Sequence, residues 1–230
     1  MNRPNRRRLI VPALMTLVML AVLIGLGTWQ VERLHWKRGI MADIARAEAG
    51  PPVPLPADPG PWIKVEATGT LRNDLTALYG AEVRDTRAGP TMGGELIVPL
   101  EREDAPPVLV DRGWVPTTRH GPLAQPEGTV AVVGYVRPAD HQAWFSATDD
   151  VAGRLFYTLD PAAIGRAMGL PDVAPFTLVA LGDAPPESWP APAQHLPRPP
   201  NNHLSYAITW YGLAAALVVI FVLWARKAVR

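Results

Sequence analysis

Cysteine is absent from the 230-residue sequence. Its absence excludes disulfides, zinc–thiolate sites, thiol nucleophiles, iron–sulfur clusters and covalently attached c-type haem. The net charge is only +1, which provides no basic excess for nucleic-acid binding, so we expect no nucleic-acid partner. The nucleophile-elbow, zinc-protease and phosphate-loop motifs are also missing from the sequence, and we therefore predict that the protein is not an enzyme.

Apolar residues make up 48% of the sequence and are concentrated in two uncharged runs, residues 9–29 and 204–225. At 1.5 Å per residue, a helix over the first run is about 31 Å long, which is enough to cross the hydrocarbon core of a bilayer. A cleaved signal peptide is the alternative for this run, but the run is long and no small-residue cleavage site follows it. Aromatic residues near both ends of the second run are typical of a membrane interface. We predict two transmembrane helices.

Basic residues flank each run on the side of the nearer chain terminus: Arg3, Arg6, Arg7 and Arg8 precede the first run, and Arg226, Lys227 and Arg230 follow the second. The positive-inside rule then predicts cytoplasmic termini, residues 1–8 and 226–230, with everything between the spans on the other side. The N-terminus lacks an organelle transit segment, which favours a bacterial inner membrane. We therefore expect a multi-pass protein in contact with membrane lipid, carrying a periplasmic domain.

The region between the spans changes character along its length. Residues 30–49 contain good helix formers with an apolar stripe, and they predict a helical extension of the first span. Residues 50–182 begin with prolines and continue as short alternating segments, as in residues 63–67, which are typical of strands. Residues 183–203 are rich in proline and predict an extended strut before the second span. The predicted fold class is an α+β membrane protein, in which two transmembrane helices flank a mainly antiparallel, barrel- or sandwich-like β domain with one or two helices.

Two local features of the predicted β domain are specific enough to test. Asp160, Pro161 and Gly169 have the residue types expected at the N-cap, first position and C-terminal stop of a helix. The glycine-rich segment 89–94 lacks the lysine of a phosphate-binding loop and is predicted to be a turn.

Two unusual motifs lie at the outer ends of the spans. Trp29-Gln30-x-x-Arg33-x-x-Trp36-Lys37 follows the first span, and Asn202-His203-Leu204-Ser205-Tyr206-Ala207-Ile208-Thr209-Trp210 opens the second. An interfacial belt of aromatic and basic residues is one explanation for both. His203 suggests another, because a neutral imidazole at the edge of the hydrocarbon is a common ligand for non-covalently held haem iron.

Together with Val110-Asp111-Arg112-Gly113-Trp114-Val115-Pro116, these motifs resemble the Surfeit locus protein 1 (Shy-type) family from about residue 9 to the end of the chain. The resemblance implies an assembly factor for haem-copper cytochrome c oxidase that binds haem a while the haem is placed in subunit I. It also implies that His203 is the axial ligand of the haem iron. It gives no such role to the other histidines, His35, His120, His141 and His195.

On this resemblance, the expected cofactor is transiently bound haem a, and the expected partners are oxidase subunit I and, as a second candidate, haem a synthase. We expect aromatic side chains, Tyr206, Trp210 and Trp29, to contact the macrocycle and Arg33 or Lys37 to pair with the propionates. The alternative is a membrane-anchored scaffold that stabilises an oxidase assembly intermediate without binding haem. In that case Asp111, Arg112 and Trp114 could face a partner, although an Asp–Arg pair and a buried tryptophan within the sheet is the preferred interpretation.

Overall fold

The computed structural model describes residues 7–118, 123–144 and 146–229, and the chain divides into two compact units. The first, which we call the helical unit, runs up to Asp43 and resumes at Arg198. The second, Ile44–Pro197, is the sheet unit. The helices of the described residues are α1 (Arg7–Ala49), α2 (Pro161–Ala167) and α3 (His203–Val229).

Helices α1 and α3 are the membrane candidates. Each is long and apolar enough to cross a bilayer, and most of its apolar surface is not buried by protein. Exposed leucine, isoleucine and valine over such lengths is unfavourable in water but is normal for a surface that faces lipid. The pair therefore indicates association with a membrane. A single continuous helix, α1, covers both the predicted first span and its predicted extension.

A narrow seam joins the two helices of the helical unit. Within the helical unit, the buried residues of α1 recur at intervals of four and three, and those of α3 are seven apart. They are Leu23, Gly27, Gln30 and Leu34 on α1, and Ala207 and Ala214 on α3. This heptad-like spacing with small residues lets two helices approach closely without an aqueous hydrophobic effect. At Gly27 an added Cβ would lie 2.7 Å from the ring of Tyr211, so a larger residue there would require this ring to move.

The sheet unit contains one mixed sheet whose strand order is β1-β2-β6-β8-β5-β4-β3-β7. Its strands are β1 (Val53–Pro54), β2 (Lys64–Leu71), β3 (Ala77–Thr86), β4 (Gly89–Arg102), β5 (Ala105–Pro116), β6 (Thr129–Pro138), β7 (Leu155–Phe156) and β8 (Phe176–Ala180). Most neighbours are antiparallel, as predicted, whereas β1–β2, β3–β7 and β5–β8 are parallel.

The sheet is curved, because β2 pairs with β4 as well as with β6. The β2–β4 pairing covers only Thr70–Glu101 and Leu71–Leu100, and β3 and β7 continue the sheet beyond it. Within the described residues this short pairing does not close the sheet fully into a barrel, and the barrel- or sandwich-like part of the prediction is not confirmed.

Apolar residues cover both faces of the central strands. Adjacent residues Ile97 and Val98 of β4 belong to two different buried clusters, as do Leu109 and Val110 of β5. Successive strand residues point to opposite faces, so a continuous apolar run is expected where both faces are buried. Helix α2 covers one of these faces.

The start of α2 agrees with the sequence prediction. The Asp160 side chain accepts hydrogen bonds from the backbone N–H groups of Ala162 and Ala163, and Pro161 is the first helical residue. These bonds satisfy donors that the helix itself cannot pair. Gly169, with φ of 79°, follows the helix in the left-handed region that glycine tolerates. The predicted cap, first position and stop are confirmed.

The glycine-rich segment 89–94 is not a turn. It is the first part of β4, and the chain reverses before it, between Thr86 and Gly89. Close packing explains the glycine at position 93. A Cβ there would lie 2.3 Å from a ring carbon of Trp114 and 2.3 Å from the Val115 carbonyl oxygen. Residue 93 is therefore a glycine because a tryptophan lies against the strand backbone at this position.

The proline-rich stretch after residue 183 packs on the sheet unit. Ala191 and Trp114 exchange backbone hydrogen bonds of 2.9 and 3.0 Å, and Leu196 is fully buried. Up to Pro197, this segment is thus part of the sheet unit rather than a separate strut.

Candidate functional site

His203 is the first residue of α3. The preceding residue, Asn202, accepts a backbone hydrogen bond of 3.3 Å from Tyr206 N. This is the bond that an N-cap carbonyl makes, so Asn202 occupies the predicted cap position. The helix start fixes the backbone from which the imidazole of His203 projects.

The imidazole of His203 is held by α1. Its Nδ1 lies 2.7 Å from Oε1 of Gln30, a residue that is only 9% exposed in the seam between the helices. His203 itself is half-buried. Since the hydrogen bond uses Nδ1, the other ring nitrogen, Nε2, remains for a further interaction. A histidine held at one nitrogen and available at the other has the donor chemistry of an axial haem ligand.

The aromatic residues that we predicted to contact a macrocycle lie on the surfaces of the same two helices. Tyr206 and Trp210 follow His203 by three and seven residues and so share its face of α3. Tyr206 is 56% exposed and Trp29 is 52% exposed, whereas Trp210 is half-buried. Their rings leave apolar area available to a planar ligand or to lipid.

The two predicted cations differ in their contacts. The guanidinium of Arg33 stacks on the ring of Trp36, at 3.9 Å from the ring centroid, and the side chain is exposed. The ammonium of Lys37 donates a hydrogen bond to the Pro200 carbonyl. Among the hydrogen bonds between described residues, His203 is brought together with Gln30 and not with any of the other predicted site residues. Gln30 is the residue that the sequence prediction missed, although it lies within the first motif.

A second cluster of polar residues lies in the sheet unit, around a cavity of about 250 Å³. Its walls include the carboxyl groups of Glu95 and Asp111 and the guanidinium groups of Arg84 and Arg137. Arg84 pairs with Glu95 at 2.8 Å. Asp111 is 3% exposed and accepts a hydrogen bond of 3.0 Å from Gly113 N.

Burial dominates the charge state of the acids in this cluster. It raises the pKa of Asp111 to about 6, although the Gly113 hydrogen bond and the charges of Arg137 and Arg84 act in the opposite direction. Burial, followed by repulsion from Asp111, raises the pKa of Glu95 to about 7. The cluster contains two carboxyl groups with raised pKa values and two guanidinium groups, so its net charge changes near neutral pH.

The third sequence motif, Val110–Pro116, which we call the middle motif, contributes to the packing of the sheet unit. The predicted Asp111–Arg112 pair is wrong, because consecutive strand residues point to opposite faces. Arg112 instead donates to the Ala124 carbonyl at 2.8 Å. The predicted buried tryptophan is confirmed: Trp114 is fully buried, packs edge-on against Trp189 with centroids 5.1 Å apart, and its ring N–H lies 3.3 Å from the Glu82 carbonyl.

The other histidines have different surroundings. His35 and His141 are exposed, and His195 lines the cavity of the sheet unit. His120 lies outside the described residues. Over the described parts of the chain, no group of three or more histidine, cysteine, aspartate or glutamate side chains could hold a metal ion.

Comparison with known proteins identifies the family. The SURF1 family model matches residues 17–215. Surfeit locus protein 1 of Rattus norvegicus is 31% identical over 230 residues, which cover 91% of this chain and 73% of the relative. Surfeit locus protein 1 of Homo sapiens is 30% identical (90% and 74% covered), and the SURF1-like protein of Rickettsia conorii is 29% identical (90% and 88% covered). The chain therefore belongs to the SURF1 family.

Proposed function

We propose that this protein is a non-enzymatic assembly factor for haem-copper cytochrome c oxidase, which binds haem a at the outer membrane surface and assists its insertion into subunit I. The observation that carries the proposal is the half-buried imidazole of His203, held at Nδ1 by Gln30 at the start of an apolar helix. Membership of the SURF1 family supports the same role.

A protein that delivers haem to another protein must bind the haem reversibly. When bound, haem supplies an iron centre that accepts an imidazole nitrogen, and His203 is the residue that would donate it. A single protein ligand without a covalent tether allows release to a site with more ligands. The exposed rings of Tyr206 and Trp29, with the half-buried ring of Trp210, would contact the macrocycle through apolar area.

The cations of the first motif are the candidates for binding propionates. Arg33 is exposed and keeps hydrogen-bond donors on a guanidinium that stacks on Trp36. Lys37 can retain its bond to the Pro200 carbonyl and still donate to a carboxylate, because an ammonium group has three N–H donors.

The proposed location is a bacterial inner membrane, with both termini in the cytoplasm and the sheet unit in the periplasm. Exposed Arg226 and Lys227 at the end of α3 support this orientation through the positive-inside rule. Subunit I is the proposed acceptor, and haem a synthase is the candidate donor.

The test is a haem a titration of the purified full-length protein, followed by visible absorption, in the wild type and in His203→Ala. Exposed His35→Ala is the matched control on α1. We expect His203→Ala to lower the haem affinity by more than about tenfold, since even changes to residues behind a metal ligand cost that much, while His35→Ala binds as the wild type does. An unchanged spectrum and affinity in His203→Ala would contradict the ligand assignment. If the protein co-purifies with subunit I and the wild type takes up no haem a, the scaffold function is correct instead.

A further inference from the structure

Gln30 is a buried polar residue in an otherwise apolar seam. Its neighbours along the buried stripe of α1, Leu23, Gly27 and Leu34, offer no side-chain hydrogen bond. A buried amide costs free energy unless its polar atoms are paired. Its oxygen is paired with His203 Nδ1 at 2.7 Å, a short distance for an N–H···O bond. The side-chain oxygen of Gln30 is therefore used in the hydrogen bond to His203.

The bond has a direction. An amide oxygen can only accept, so the proton of the bond belongs to Nδ1 of His203. A neutral imidazole carries one proton, and Nε2 then keeps its lone pair. An imidazole without this partner can carry its proton on either nitrogen, and in one of the two tautomers Nε2 cannot bind a metal.

We infer that Gln30 is a positioning residue that holds His203 in the Nδ1–H tautomer and fixes its ring orientation, so that Nε2 is presented to the haem iron. This inference rests on the proposed function for the identity of the metal group, but the tautomer itself is a property of the protein alone. Histidine ligands of metals are commonly oriented in this way by an acceptor on the second nitrogen.

A purely structural role for Gln30 predicts something different. In that case the hydrogen bond only helps to hold α1 to α3, and any other bond between the helices is equivalent to it. Thr28 Oγ1 and Tyr211 Oη, 3.2 Å apart, form such a bond in the same unit. Thr28→Val is therefore the matched control, since it removes a hydrogen bond between the helices without touching His203.

Two substitutions separate the acceptor from the shape of the side chain. Gln30→Met keeps the length of the side chain and removes the strong acceptor. Gln30→Glu restores an acceptor at the same position and is the rescue variant. All variants are made in the full-length protein in detergent micelles, and circular dichroism checks that the helix content is unchanged.

The first measurement is 15N NMR of the histidine-labelled protein at a fixed alkaline pH, with His203 assigned by the signal missing from His203→Ala. We expect the Nδ1–H tautomer of His203 in the wild type, Gln30→Glu and Thr28→Val, and a mixture of tautomers in Gln30→Met. A wild-type protein in the Nε2–H tautomer would overturn the inference without any variant, and so would a Gln30→Met protein that keeps the Nδ1–H tautomer.

The second measurement is the haem a titration of the same variants. We expect the affinity of Gln30→Met to fall by about 10- to 100-fold, with recovery in Gln30→Glu and no loss in Thr28→Val. Equal losses in Gln30→Met and Thr28→Val would overturn the positioning role in favour of simple helix packing. A wild type that binds no haem a would defeat the proposed function, whereas the NMR result would still decide whether Gln30 sets the tautomer.

Discussion

Asp111 provides a direct test of the electrostatics of the sheet unit. The carboxyl group is almost fully buried, and its pKa is about 6 in the folded protein against the ordinary 3.8. Burial is the largest cause, and the nearby guanidinium groups of Arg137 and Arg84 only partly offset it. We predict that Asp111→Asn stabilises the protein at pH values where the aspartate is ionised.

The sign follows from proton binding. Between about pH 4 and pH 6 the folded state keeps a proton on Asp111 that the unfolded state has lost, so stability falls as the pH rises through this window. A difference of about two pKa units corresponds to about 3 kcal/mol at 1.36 kcal/mol per unit. Asparagine carries no charge at any pH, and its amide oxygen can still accept the hydrogen bond from Gly113 N. Asp111→Asn should therefore match the wild type near pH 4 and exceed its stability by up to about 3 kcal/mol near pH 8.

The assay is urea unfolding of the full-length protein, followed by tryptophan fluorescence at several pH values from about 4 to 8. Buried Trp114 makes the signal sensitive to the sheet unit. Asp85→Asn, which changes an exposed carboxyl on β3, is the control and should leave the pH profile unchanged. If Asp111→Asn is instead less stable than the wild type near pH 8, the carboxylate is stabilised by its guanidinium neighbours and the reasoning from burial is wrong.

Two further predictions test the packing of the sheet unit and the cap of α2 by the same unfolding assay. Trp114→Ala should destabilise the protein by about 3–5 kcal/mol because it empties a fully buried site. The same change at Trp144, which is almost fully exposed, should cost less than about 0.5 kcal/mol. Similar losses at both positions would contradict the packing. Asp160→Ala should cost about 1 kcal/mol through loss of the bonds to Ala162 and Ala163, and a loss no larger than that of exposed Asp172→Ala would contradict the cap.

Local signals in the sequence predicted the elements whose formation depends on local chemistry. The uncharged runs predicted the two long helices, and the residue types at Asp160 and Pro161 predicted the start of α2, because a cap is satisfied within one turn. Alternation over residues 63–67 predicted β2. The first part of β4 was missed because three of residues 89–94 are glycine and one is proline, and both residue types locally favour a turn.

The interactions that shape the candidate site are not local. Gln30 and His203 are 173 residues apart, and no spacing rule connects them. The sequence pointed to His203 because imidazole chemistry at a membrane interface is distinctive. The sequence did not point to Gln30, since a single amide at the end of an apolar span is equally compatible with contact to lipid headgroups or to water.

The middle motif, which helped to reveal the family resemblance, has a structural use in this protein. Gly113 has φ of 112°, and a Cβ there would lie 2.1 Å from the Ala191 carbonyl oxygen. Trp114 then exchanges two backbone hydrogen bonds with Ala191 and packs on Trp189. The motif therefore attaches the proline-rich segment to β5, and this is the segment that precedes α3 in the chain. A partner-facing role for Trp114 would require the ring to leave this packing, so the scaffold alternative would have to use other residues of the chain.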